Sequence, residues 1–169
     1  MNQYLSGITE RAAELRRDFD RNFALPPPEG LASQQHLLAL RIDGQPFAIR
    51  LLEIAALMAG KKIVRVPGSN SALLGIVGSR GAIVPVYDLQ SLIGHARSAA
   101  PRWLAVAAAA QIGLAFDTFE GQLRAAPDDI VPQRARSGTS AFTREILQME
   151  EGAARPIFHL PSILAAIKA

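Results

Sequence analysis

The groups that could do chemistry in this chain are few and scattered. Its three histidines, His36, His95 and His159, lie far apart. They fit neither H-x-x-x-H nor H-E-x-x-H, the spacings that bring two imidazoles to one metal. There is no cysteine, which excludes disulfides, thiolate nucleophiles and cysteine metal sites. Asp88 and Asp117 stand at the ends of apolar runs. A carboxylate there more often caps the following turn or helix than serves as an acid or base. Asp88 is placed to be the N-cap of a short helix, Leu89 to Ile93. Gly75, Gly78 and Gly81 recur at every third position but match neither G-x-G-x-x-G nor G-x-x-x-x-G-K-S/T. No long helix follows to offer its N-terminus to a phosphate, so tight turns and close packing are the better use for them. Ser79 has Val77 and Gly81 two residues to either side, so the G-x-S-x-G elbow is absent. No catalytic, metal-binding or cofactor-binding residue is assigned.

What the chain offers instead is a projected cation. Ser79-Arg80-Gly81 joins two apolar runs, Leu73 to Gly78 and Ala82 to Tyr87. An arginine on a tight turn is long, planar and rich in donors, which suits contact with another protein.

The elements that must position it read mostly as strands. Leu37 to Ile42 and Phe47 to Arg50 form a hairpin about Asp43-Gly44, since both turn residues tolerate positive φ. Leu51 to Met58 has no clean period and stays open between a short helix and a strand. Further strands are expected over Ile63 to Val66, Trp103 to Ala109, Gln111 to Phe116, Phe119 to Ala125, Phe142 to Met149 and Arg155 to His159. Glu151-Gly152 supplies a turn before the last. Leu40, Ile42, Phe47, Ile49, Ile76, Val84, Val86, Leu114, Phe116 and Ile157 are the expected core.

Val86 to Ile93 and Ile157 to Leu164 share one pattern: apolar, aromatic, polar, Leu, x, Ser, apolar, apolar. Two readings stand. One is a chance likeness of two strand-to-helix junctions. The other is a pair of similar small barrels, each plugged by a short helix, whose closure hides strand edges.

Ahead of these strands, Leu5, Ile8, Ala12, Leu15, Phe19 and Phe23 fall at spacings of three and four, which predicts an amphipathic helix. Pro26-Pro27-Pro28 ends it. Residues 1–35 are therefore expected to be a helix and linker, and residues 36–169 the body. The helix face needs cover, either from the barrel or from a second chain, which would make it a means of self-association.

Composition narrows the class. The 169 residues are 49% hydrophobic and 20% charged, which fits a folded domain rather than a disordered chain. No apolar run reaches the length of a membrane span, and the N-terminus lacks the basic start and apolar stretch of a signal peptide. Direct membrane insertion is not expected, and a cytoplasmic location is the simplest reading. A nucleic-acid-binding small barrel is the alternative, with Lys61, Lys62, Arg65 and Arg80 as its basic patch. The net charge of +3 is modest for that role. Aromatic residues are only 6% of the chain and do not interleave with the cations, so stacking platforms are lacking.

The run from Ile63 to Gly94 resembles the centre of the CheW-like coupling domain of bacterial chemotaxis. That pattern reads R-I/V-P, an insert, G-V-I/V-N-L-R-G, then I/V-I/V-P-V-x-D-L. Here it corresponds to Arg65-Val66-Pro67, Gly75 to Gly81 and Ile83 to Leu89. The resemblance extends from about Leu37 to Ile167. Gly113 to Asp117 looks like the family's G-I/V/L-x-V-D strand, and Ile157 to Leu164 like its closing strand and helix.

This likeness implies an all-β fold of two intertwined five-stranded SH3-like barrels with short helices. It implies a non-enzymatic scaffold without cofactor, binding the regulatory domain of a CheA-type histidine kinase and the cytoplasmic tip of a chemoreceptor. The arginine and glycine of N-L-R-G fall on Arg80 and Gly81, near those contacts. Ile54 falls on an apolar position of the receptor-binding groove, with plain core as its other reading. Ala56 stands where the family has a kinase-linked glutamate, and Gly78-Ser79 stand for its Asn-Leu. His159 replaces an aspartate, and Ile146-Leu147-Gln148 a G-L-G strand. The resemblance thus implies the fold more fully than the partner surface of Arg80, Gly81, Ile54, Ala56 and Ser79. The helical lead-in is similar to that of the PilI-type members of the family.

Overall fold

A computed structural model describes residues 34–67, 70–98, 100–133, 141–149 and 153–168. The expected N-terminal helix and the Glu151-Gly152 turn lie outside them.

Two local turns set the registers. Strands β1 (Gln35–Ile42) and β2 (Gln45–Arg50) meet at Asp43 and Gly44, with φ of 50° and 74°. Strands β4 (Leu73–Ser79) and β5 (Ala82–Asp88) meet at Arg80 and Gly81, with φ of 48° and 81°. Positive φ at both central residues is the hairpin geometry whose twist matches that of the paired strands.

The other strands are β3 (Ile54–Ala59), β6 (Trp103–Ala107), β7 (Gly113–Phe116), β8 (Thr118–Ala125), β9 (Ile130–Pro132), β10 (Thr143–Gln148) and β11 (Ala154–Phe158). One sheet has the order β8-β1-β2-β11-β10-β9, the other β3-β6-β7-β5-β4. Each closes on itself. In the first, the edge strands β8 and β9 are joined by one 3-10 turn, Pro127–Asp129, and behave as halves of a single bent strand. In the second, the chain beyond β3 turns at Gly60 and bridges back to β4. There the Val64 and Ile76 amides exchange hydrogen bonds of 2.9 and 2.8 Å. The result is two five-stranded barrels, the second inserted between the β1–β2 hairpin and the returning strands of the first.

Each barrel ends in a plug. β5 runs into helix α1 (Leu89–Leu92), and β11 into helix α2 (Leu160–Lys168). Leu89, Ile93, Leu160 and Ile163 enter one shared apolar cluster with Leu40, Phe47, Leu114 and Phe116. Phe47 and Phe158 stack there at 4.7 Å. Both parallel pairings follow the same pattern: β5 lies along β7, and β11 along β2. The repeated motif in the sequence is therefore a repeated structural unit. Arg155 on β11 is buried and reaches across the first barrel. It donates to the Leu40 and Phe47 carbonyls at 3.3 and 3.0 Å and pairs with Glu120 at 2.7 Å. One guanidinium thus ties together β1, β2, β8 and β11.

Nine of the ten expected core residues are buried. Ile76 is the exception and is half-buried. Successive residues on a strand point to opposite faces, and on β4 it is Val77 that faces the core. The expected strand over Ile63 to Val66 reduces to the single bridge at Val64. Leu51 to Met58 resolves into a 3-10 turn, Leu51–Glu53, followed by β3. Strand β6 stops at Ala107.

Candidate functional site

Arg80 sits at the tip of the β4–β5 hairpin, exposed, on a turn whose two residues both have positive φ. A cleft of about 150 Å³ opens beside it, lined among others by Ala55, Ala56, Ser79, Arg80, Val84 and Gln111. Three residues singled out from the sequence, Ala56, Ser79 and Arg80, thus meet across β3 and β4. Gly81 completes the turn. Ile54 does not line this cleft. It lies two residues back on β3, paired with Ala107 and packed half-buried against the main core cluster. Near the cleft, Ile83 on β5 is 72% exposed.

A second surface adjoins the first, and sequence reasoning missed it. Leu52, on the 3-10 turn before β3, is 94% exposed, an unusual position for a leucine. It borders an apolar groove of about 370 Å³, formed with Glu53, Ala107, Ala108, Ala109, Leu160, Pro161 and Leu164. The Ala108 amide donates to the Glu53 carbonyl at 2.9 Å and holds the two walls together. Burial pushes the Glu53 carboxyl above the usual range; Arg50 opposes this and Glu145 adds to it. The groove escaped notice because its walls come from three separated segments. Its one sequence signal was the alanine run after β6, whose small side chains leave the floor open. The turn before β3 and β3 itself link both surfaces, with Leu52 on one, Ile54 between and Ala56 on the other.

The candidate chemical groups are occupied locally. Asp88 is buried and caps α1, accepting from the Gln90 amide at 3.3 Å, the Ser91 hydroxyl at 2.8 Å and the Ser98 amide at 3.0 Å. Asp117 accepts from the Ser98 hydroxyl. His159 takes the place before α2 that Asp88 takes before α1. Its Nδ1 accepts from the Ser162 amide at 3.3 Å and lies 2.7 Å from the Ser162 hydroxyl. Burial holds the His159 pKa below its usual value, reinforced by Arg144 and Arg50 and opposed by Glu145. His36 contacts Gln122 at 2.8 Å and His95 contacts Asp43 at 3.3 Å, so the three imidazoles serve separate places. Of the four cations of the expected basic patch, Arg80 lines its own cleft, while Lys61 and Arg65 line another.

A projected arginine beside a small cleft, next to an apolar groove, is equipment for protein contact. The comparisons bear on which kind. The family profile described as the CheW-like domain matches residues 36–168. The chain belongs to the CheW-like domain family. The chemotaxis protein CheW of Rhizobium meliloti (strain 1021) is 25% identical over 123 residues, covering 69% of this chain and 79% of that protein. The crystal structure of the scaffolding protein TtCheW from Thermoanaerobacter tengcongensis superposes with a TM-score of 0.66. It covers 74% of this chain and 88% of that one at 16% identity, a likeness of fold. In this CheW-like chain His159 caps the last helix, its Nδ1 accepting from the Ser162 amide.

Proposed function

We propose that this protein is a non-catalytic cytoplasmic scaffold that couples a CheA-type histidine kinase to chemoreceptors. The observation that carries the reading is a CheW-like body over residues 36–168 whose β3 margin presents a cleft and an apolar groove side by side. The apolar groove along Leu52 and Ala108 receives the receptor tip. Arg80, with Gly81, Ser79 and Ala56, contacts the kinase regulatory domain near that junction. Ala56 removes a carboxylate and Ser79 an apolar side chain from the family pattern, so this kinase contact is weaker than in a standard coupling protein.

The apolar stripe that the sequence carries from Leu5 to Phe23 is the part of this proposal that concerns self-association. Deleting residues 1–25 and measuring mass in solution tests that part: a change in oligomeric state or solubility supports it, and unchanged mass, stability and binding contradicts it. For the main reading, pull-down with the intact protein followed by calorimetry against a purified regulatory domain and a receptor-tip fragment is the direct experiment.

A further inference from the structure

At the opposite end of β4 from Arg80 lies a cleft of about 460 Å³. Leu74 and Arg80 are six residues apart, roughly 20 Å at the rise of a strand. Its rim carries Lys61, Arg65 and Arg97, and its walls Ile63, Leu74 and Ser98. The first two cations come from the segment that closes the second barrel, the third from the connection between α1 and β6. Among the described residues Lys61 and Arg65 form no hydrogen bond or ion pair, and all three cations are exposed. Among the described residues Arg97 donates only to the Leu73 carbonyl, at 3.1 Å. Asp88 and Asp117 lie behind the cleft wall rather than on it: Asp88 is buried in its capping role, and both accept from Ser98. Like charges are thus gathered around a concave, partly apolar surface, and among the described residues no carboxylate lines it.

We infer that this cleft binds an acidic segment of a partner protein, one that places an apolar side chain among its carboxylates. Each exposed ion pair would contribute at most about 1 kcal/mol, so charge alone would not make a site. Ile63 and Leu74 supply the apolar floor that gives such a segment its anchor. The cleft is far larger than one phosphate and sits at no long helix N-terminus, which argues against a dedicated phosphate site. No aromatic residue is among those lining it, so it lacks the stacking platforms that single-stranded nucleic acid uses. This inference is independent of the kinase and receptor contacts proposed along β3.

The test is titration of the full chain at low salt, by fluorescence anisotropy and amide chemical shifts, with a labelled capped peptide Gly-Glu-Glu-Leu-Asp-Glu-Gly. Two control peptides carry Gln and Asn for the acids, or Ser for Leu. Oligothymidylate, inorganic phosphate and anionic lipid vesicles serve as competitors. Expected are saturable binding, shifts at Ile63, Leu74 and Ser98, and a loss of at least about tenfold in Lys61→Glu/Arg65→Glu. Both positions are exposed, so that variant should keep its fold, checked by thermal melting. Arg124→Glu, on the other barrel, should bind normally. The inference is overturned by no binding at millimolar peptide, by unchanged binding in the double variant, or by equal binding of either control peptide. Competition by oligonucleotide, phosphate or vesicles as effective as the acidic peptide would also overturn it.

Discussion

The carbonyl oxygen of Val64 lies 2.1 Å from where a Cβ on Gly75 would stand. Only a residue without a side chain lets the segment after β3 lie against β4 and close the second barrel. Gly75 also has φ of 145°, a conformation that other residues rarely adopt. Gly75→Ala should therefore destabilise the protein by at least about 2 kcal/mol, since clash and backbone strain add. Gly78→Ala has open space around it and should stay within about 0.5 kcal/mol. Denaturant midpoints for the two variants check this, and equal midpoints would contradict the closure described.

His159 makes stability depend on pH in a defined window. Its folded pKa is held below the usual 6.5, so the neutral form, which accepts from Ser162, is the one the fold prefers. That contribution is fully present above pH 6.5 and is lost as pH falls through the folded pKa. Glu53, raised from 4.5, works in the opposite sense: its contribution is present below 4.5 and lost as pH rises. Replacement separates the two. His159→Asn keeps a capping acceptor without a titrating group, so the decline below pH 6.5 should shrink in urea melts taken across pH. An unchanged profile would show that the imidazole does not govern it.

Some of this architecture was legible in the chain and some was not. The Asp43-Gly44 and Arg80-Gly81 turns and the Asp88 cap depend on neighbours a few residues away, and all three are where the residue types put them. The repeated strand-to-helix pattern was visible too, because each copy is contiguous. Strand β9 was not: three residues, Ile130–Pro132, carry too little pattern to register. The closure at Val64 and Ile76, and the groove between Leu52 and Pro161, depend on contacts far apart in the chain. Local periodicity holds no record of them. Ile76 misled because hydrophobicity alone does not say which face of β4 the barrel interior takes.

Leu52 separates binding from stability. At 94% exposed it contributes almost nothing to the core, so Leu52→Asp should change stability by no more than about 0.5 kcal/mol. On the proposed function it should weaken binding of the receptor tip by more than about 1 kcal/mol, as expected of an anchor at a groove. Thermal melting and a binding isotherm on one preparation give both values. Normal receptor binding would remove the groove from the interface.

The most direct measurement is calorimetry of Arg80→Ala and Arg80→Lys against a CheA-type regulatory domain and a receptor-tip fragment. Both variants keep the hairpin, since Gly81 and the strand pairing are untouched. Alanine should weaken binding to at least one partner by about 1 kcal/mol or more, and lysine, which keeps charge but not the planar fork, should restore only part. Unaltered affinity in both variants, or well-folded wild-type protein that binds neither partner, would contradict a coupling scaffold built around Arg80.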